Sequence, residues 1–251
     1  GKIGLDIGTQ TLAISGEGIC DLRVLAPSAI AELRNGLVKT IARIQRAMDR
    51  SRRVTNSQYF NANGTIKRLK RTNGRKQIRK WRYSNRYLRL RHKLRDLYRK
   101  LATVRKTEHN ILVNELLAHG NIFYVEDMNY KALQKRSKDT KVNVKAGRTH
   151  SKKRFGKSLG RCAPVAFLAA LEQKAKRCNG QVVRVSTFAT KASQFDHTDE
   201  SYTKKKLSER FAKLSDGTVV QRDLYSAFLL AHLNKNLVTY NKQSIKKDFP
   251  Q

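Results

Sequence analysis

Three short apolar runs lie far apart in this chain, with long helix-patterned stretches between them. A sheet built from such runs has to gather distant segments, which is the arrangement of an α/β fold. Residues 2 to 15 read as two strands joined by a turn. Ile3, Leu5 and Ile7 alternate, Gly8-Thr9 breaks the run, and Leu12, Ala13 and Ile14 resume it. A second run, Asn-Ile-Phe-Tyr-Val-Glu at 121 to 126, is rich in β-formers. A third spans 181 to 187, and a short strand at 218 to 220 leads into a helix at 222 to 236.

Residues 28 to 50 carry Ile30, Leu33, Leu37, Ile41 and Ile44 on one side of an amphipathic helix. Residues 75 to 118 read as one long helix or a helical hairpin. Tyr87, Leu90, Leu94, Leu97, Leu101 and Val104 alternate spacings of three and four, a narrow seam of coiled-coil type. A further helix at 163 to 178 carries Phe167, Leu168, Leu171 and Ala175. Residues 51 to 74 are polar and turn-rich, a loop or a nucleic-acid-facing insertion. Residues 134 to 160 are very basic and read as a mobile loop, and 189 to 217 as irregular chain with a short basic helix around 203 to 214. No internal repeat is present.

The charge balance points to the partner. Lys and Arg number 54 against 19 Asp and Glu, a formal net charge of +35. Such a field concentrates polyanions, and nucleic acid rewards each basic contact by releasing counterions. No apolar run of about 18 residues is present to cross a membrane, and no basic amphipathic segment has a clean apolar face for lying on lipid. A hydrophobic content of 39% speaks against full disorder. Cys20, Cys162 and Cys178 are odd in number and form no CxxC pair, which excludes a disulfide framework and a four-cysteine zinc site. Buried thiols in a reducing compartment are expected. The start at Gly1-Lys2, without initiator Met or signal peptide, reads as a fragment beginning just before a strand.

Three carboxylates sit where a metal-dependent nuclease would want them. Asp6 lies inside the first strand, Glu126 closes the second run, and Asp223 starts the terminal helix. A charge within or at the end of a buried strand is costly unless paired or metal-bound. Hard oxygen ligands suit Mg²⁺, and two such ions about 4 Å apart can activate a water and stabilise the leaving oxygen of a phosphodiester. Taken singly, each has an ordinary reading: a lone strand Asp is commonly a turn or paired residue, and Asp223 would be favoured by the helix dipole alone. A nuclease explains the trio and the +35 charge together.

Asp6 in its strand-turn-strand, Val125-Glu126-Asp127-Met128-Asn129, and Arg222-Asp223 before an alanine-containing helix resemble the three RuvC motifs of the TnpB transposon-associated nucleases. These are similar to the nuclease portion of type V CRISPR effectors. The basic helical segment before Glu126 resembles the family's long insertion between its first two motifs. Phe155-Gly156-Lys157-Ser158, Leu171-Glu172-Gln173-Lys174-Ala175, Lys191-Ala192-Ser193-Gln194 and Leu207-Ser208-Glu209-Arg210 resemble its later segments. The ordered set covers nearly the whole chain.

The resemblance implies an RNase H-like (RuvC) mixed sheet flanked by helices over residues 1 to 251. A basic helical insertion would occupy 28 to 118, and a target-loading insertion 189 to 217. It further implies two Mg²⁺ ions, with Mn²⁺ able to serve, and Asp6, Glu126 and Asp223 as metal-binding catalytic residues. Guide RNA and target DNA would be the partners, in a prokaryotic cytosol. Base pairing would supply most sequence specificity. The family usually carries a four-cysteine zinc ribbon between Gln194 and its last motif; here that stretch has His197 and several acids but no cysteine, so a metal-free loop is expected and no structural zinc. The last motif usually reads Asp-x-Asn-Ala-Ala; here it is Asp223-Leu224-Tyr225-Ser226-Ala227, without the Asn. The family also places an RNA- and DNA-gripping lobe before its first motif, and that lobe is expected to lie outside this chain.

Nucleic-acid contact is expected at Arg79, Lys80, Trp81, Arg82, Arg86, Arg89 and Lys93 in the basic helical region. It is also expected at Lys152, Lys153 and Arg154, and at Lys191, Gln194, Arg210 and Arg222 nearer the last motif. Tyr87 lies on the apolar seam and reads as core, whereas Trp81 and Tyr83 could stack or pack. His150 and His197 have no partner at metal spacing and read as surface residues. Three rivals remain. An actin-fold ATPase would use Asp6-Ile7-Gly8-Thr9 as a phosphate turn but lacks a second glycine-rich loop. A non-cleaving binder would explain the charge alone. A stand-alone junction resolvase would not need the long basic insertion.

Overall fold

The computed structural model describes residues 1–68, 71–72, 75–76, 78–134, 141–143, 148–150, 155–204 and 209–249. They divide into two compact units, Gly1–Pro27 with Lys106–Gln251, and Ser28–Arg105.

The first unit is built on a five-stranded mixed sheet. Its strands are β1 (Lys2–Ile7), β2 (Thr11–Gly16), β3 (Ile19–Val24), β4 (Ile122–Glu126) and β5 (Gln181–Val185), in the order β3-β2-β1-β4-β5. β1, β2 and β3 form an antiparallel meander, while β4 and β5 add in parallel. This is the α/β mixed sheet flanked by helices expected from the sequence. β3 went unforeseen. Asp21 and Arg23 alternate with Cys20, Leu22 and Val24, and none of the strand's residues is buried, as befits an edge strand. Arg23 forks onto Glu115 at 2.5 and 2.6 Å.

Alternation along β1 sends Ile3, Leu5 and Ile7 to one face and Gly4 and Asp6 to the other. The helix Arg222–Ala231 lies on the second face, and its backbone touches the strand. A Cβ on Gly4 would stand 1.9 Å from the Ala227 carbonyl oxygen and 2.6 Å from the Ala231 nitrogen. Beside it the core is formed by Tyr124, Val185, Phe195, Tyr225, Leu229, Leu230, Leu233 and Tyr240. The helix Pro164–Arg177 packs on β5 and meets the last turns of the helix Asn85–His119. There the His109 and Phe167 rings lie 5.6 Å apart, and Lys174 Nζ donates to Asn114 at 2.7 Å.

The second unit holds the helix Val38–Thr55 and the start of Asn85–His119. The helix expected at 28 to 50 is broken, because Asn35 and Gly36 leave helical backbone angles and Gly36 takes φ +99°. The long helix begins at Asn85 rather than 75. Asn56, fully buried, donates to the Arg82 carbonyl and accepts from the Arg82 N–H, both at 2.8 Å, tying that segment down outside the helix. Ser84 then caps the helix by accepting from the Tyr87 N–H at 3.2 Å.

Four further expectations need correction. Phe211–Lys213 forms a strand paired antiparallel with Val219–Gln221, not part of a basic helix, because alternation buries Ala212 at the pair's inner face; residues 205 to 208 lie outside the described residues. In the region read as a mobile loop, 141–143 pairs with 148–150 and Gly156–Cys162 is helical, anchored by buried Leu159 and Cys162. Of the three thiols only Cys162 is buried; Cys20, on edge strand β3, and Cys178, at a helix end, are exposed. His197 is not a free surface residue, since its Nδ1 lies 2.8 Å from the buried Tyr225 hydroxyl. The side chain of His150 lies outside the described residues.

Candidate active site

Asp6 and Glu126 reach the same place through the sheet. β1 and β4 run parallel with Leu5 opposite Val125, so the next residues, Asp6 and Glu126, project on one face at the carboxyl ends of adjacent strands. Gly4 lies two residues before Asp6 on that face and touches the helix at Ala227. Asp223 lies one helical turn before Ala227, a rise of about 6 Å that matches the two-residue rise along the strand. Strand and helix thereby bring the third carboxylate within electrostatic reach of Asp6. Gln221 fixes the helix start, its side-chain oxygen accepting from the Leu224 N–H at 2.6 Å.

Electrostatics carry the mark of this crowding. Burial first, then the charges of Glu126 and Asp223, push the Asp6 carboxyl up to about 8 against an opposing pull from Arg222. Burial alone pushes Glu126 up to about 7. Asp223 is held by cations: Arg210 Nη1 is 3.3 Å from Oδ2, and Arg222 Nε is 3.9 Å from Oδ1. Among the described residues, no three His, Cys, Asp or Glu side chains are placed to hold one metal ion. The donor chemistry nonetheless suits a hard divalent cation. Asp6 meets the charges of Glu126 and Asp223 from a buried position, and a cation would relieve both burial and repulsion there.

Sequence reasoning did not find Tyr130 or the Asp196 clasp. The buried Tyr130 hydroxyl donates to the Ile7 carbonyl at 3.0 Å, tying the segment after Glu126 to the end of β1. The only sequence signal was an aromatic four residues beyond the carboxylate. Asp196, 6% exposed, accepts from the Thr198 and Ser215 backbone N–H groups at 2.9 and 2.8 Å and from both hydroxyls. It joins two arms of the cysteine-free insertion, and these bonds hold its carboxyl below the usual range against burial.

The expected nucleic-acid residues separate into groups. Arg86, Arg89 and Lys93 are exposed and their three-four spacing sets them in one stripe on the helix Asn85–His119, with Arg82 exposed just ahead of it. Lys80 is also exposed, whereas Arg79 donates to the Lys67 carbonyl. Trp81 is half-buried against Tyr59 and Phe60, with the Arg52 guanidinium 5.4 Å from its ring, so it packs. Tyr83 stacks on half-buried Tyr87 at 4.6 Å. In the first unit, Arg210 and Arg222 adjoin Asp223. Lys191 is exposed with φ +48°, and Gln194 is half-buried, bonded through its backbone to Lys191 and Thr203. Lys152, Lys153 and Arg154 lie outside the described residues.

No family model matches this chain, and no curated protein matches it. Among solved structures it is similar to the mini-RNA-guided endonuclease CRISPR-Cas phi3, with 14% sequence identity and a TM-score of 0.46. The match covers 95% of this chain and 46% of that one, so the chain spans less than half the length of that structure. No described helix is long and apolar enough to cross a membrane.

Proposed function

We propose that this chain carries the RuvC-type nuclease centre of an RNA-guided DNA endonuclease of the TnpB kind. Asp6, Glu126 and Asp223 would be the ligands of two Mg²⁺ ions. The observation that supports this most is the pairing of Asp6 and Glu126 on one face, with the charge of Asp223 felt at Asp6. The charges of Glu126 and Asp223 both raise the proton affinity of Asp6, a burden that a bound cation would relieve. On a chain of net charge +35, the anion that would accompany such a cation is a nucleic-acid phosphate.

Bound ions would activate a water and stabilise the leaving oxygen of the phosphodiester. The protein's own residues do the rest. Asp6, with its carboxyl raised to about 8, gives up its proton when a cation takes its oxygens, so site loading strengthens as pH rises. Tyr130 fixes the backbone just past Asp6. Arg210, 66% exposed beside Asp223, can exchange that carboxylate for a phosphate as the site loads.

A second reading is a nucleic-acid binder that does not cut. The observation favouring it is the ion pairing of Asp223 by Arg210, with no three donors placed around one point among the described residues. Cleavage of labelled single-stranded DNA with and without Mg²⁺ by the wild type and Asp223→Ala separates the two. Metal-dependent cutting lost in the variant supports the nuclease. Binding without cutting in both supports the binder.

A further inference from the structure

Of nine phenylalanines, only Phe188 and Phe211 are exposed, at 89% and 65%. A lone exposed apolar side chain needs no explanation, but both of these sit on segments that adjoin the carboxylates. Phe188 lies three residues past Val185, the register partner of Glu126. Thr187, just before it, donates its hydroxyl to the Asp127 carbonyl at 3.4 Å, pinning the short helix Thr187–Thr190 beside the residue that follows Glu126. Phe211 follows Arg210, whose guanidinium meets Asp223 and whose carbonyl accepts from the Arg222 N–H at 2.9 Å. The backbone at each ring therefore adjoins a carboxylate-bearing segment, one on the Glu126 side and one on the Asp223 side.

Each ring has an exposed cation near it in the chain: Lys191 three residues after Phe188, and Arg210 beside Phe211. Phenyl rings are sequence-tolerant seats for unpaired bases, and adjacent cations meet the phosphates between them. A duplex keeps its base faces stacked inside and offers these rings nothing. A protein partner would require a contiguous apolar patch instead of two separated rings among cations.

We propose that Phe188 and Phe211 are base-stacking platforms that seat a single-stranded nucleic acid across the carboxylates, with Lys191 and Arg210 on its phosphates. The proposal rests on the nuclease reading for why a strand should lie there. It does not need that reading for the stacking itself.

The test is a fluorescence-anisotropy titration of labelled single-stranded DNA against the full chain without divalent metal, at several salt concentrations. Phe188→Ala and Phe211→Ala should each weaken binding roughly 5- to 140-fold, the span of base–aromatic stacking. Phe188→Trp should restore it. The salt slope should be unchanged in Phe188→Ala but reduced by about 0.7 in Lys191→Ala, because a ring releases no counterions. An oligonucleotide of equal length made of abasic units should bind the wild type and Phe188→Ala alike. Thermal unfolding checks that a substitution at so exposed a position leaves the fold intact.

Wild-type affinity in both alanine variants, an equal loss on the abasic strand, or no binding by the wild-type chain would each overturn the proposal. Cutting is scored separately with Mg²⁺. Ring-dependent binding without any cutting keeps the platforms and removes the nuclease reading. Cutting with ring-independent binding does the reverse.

Discussion

The two units of this chain spend their residues on opposite things. Ser28–Arg105 carries 24 Lys and Arg against three acids, and among its described residues only Ala29, Ile41, Ile44, Phe60 and Leu101 are buried hydrophobics. The sheet unit carries 30 basic residues against 16 acidic ones and nearly all of the buried core. In the sheet unit, acids are positioned by a rigid scaffold, which suits chemistry that depends on placement. In the helical unit, a long helix displays cations along its length with a half-buried seam behind, which suits a partner held by charge alone. Fixed geometry and summed charge fail differently when single residues change.

The largest effect should come from the carboxylates. Asp6→Asn, Glu126→Gln or Asp223→Asn should each reduce Mg²⁺-dependent cleavage on the order of 10³-fold or more, while single-strand affinity stays within a few-fold. Gel-based cleavage beside anisotropy reads both. Full cutting in all three would end the assignment and with it the contrast between the units.

Core truncation should come next and should also differ between units. Leu229→Ala, fully buried on the helix that carries Asp223, should cost about 2–5 kcal/mol. Leu94→Ala on the half-buried seam should cost about 1 kcal/mol. Urea unfolding monitored by circular dichroism checks this; equal costs would mean the seam is a true core.

Changing Arg82, Arg86, Arg89 and Lys93 together to Gln should flatten the slope of log affinity against log salt by about 3 for single strands. The cleavage rate at saturating DNA should hardly change. A collapse of that rate would mean the helical unit takes part in chemistry.

The smallest effect is a pH dependence. The folded Asp6 and Glu126 carboxyls are raised to about 8 and about 7, above their ordinary values. Raised carboxyls favour the folded state below the unfolded pKa, and that contribution is lost as pH climbs through the folded values. The metal-free chain should therefore melt lower at pH 9 than at pH 5.5, and Asp6→Asn should remove much of the difference. Added Mg²⁺ should raise the melting temperature more at pH 8.5 than at pH 6, because it needs the deprotonated oxygens. Scanning calorimetry across that range reads both trends.

How much of this was legible in the sequence follows from which forces are local. β1, β2, β4 and β5 were visible because buried strands write their apolar runs directly into sequence, and Asp6 stood out as a charge inside one. Ser84, a capping hydroxyl just ahead of the Arg-rich helix, could have corrected that helix's start, yet the decisive contact is Asn56 reaching 26 residues to Arg82. The strand at Phe211 was hidden because its partner lies across a turn and only one of its three residues is buried. At the site the carboxylates could be named but not joined: what brings Asp223 to Asp6 is a helix crossing a strand, and no spacing encodes that. Trp81 stayed open between stacking and packing because sequence cannot show Tyr59 and Phe60 lying against it.

The contact at Gly4 sets a gauge. Where main chain rests directly on main chain, the separation between two elements no longer depends on which side chains fill the space around them. The gap between Asp6 and Asp223 is then a backbone dimension, and the surrounding core can exchange Leu for Ile or Val without altering it. The same economy leaves the site with one narrow tolerance. A single methyl added at position 4 would lift the helix from the strand and widen the one distance that no other residue can restore.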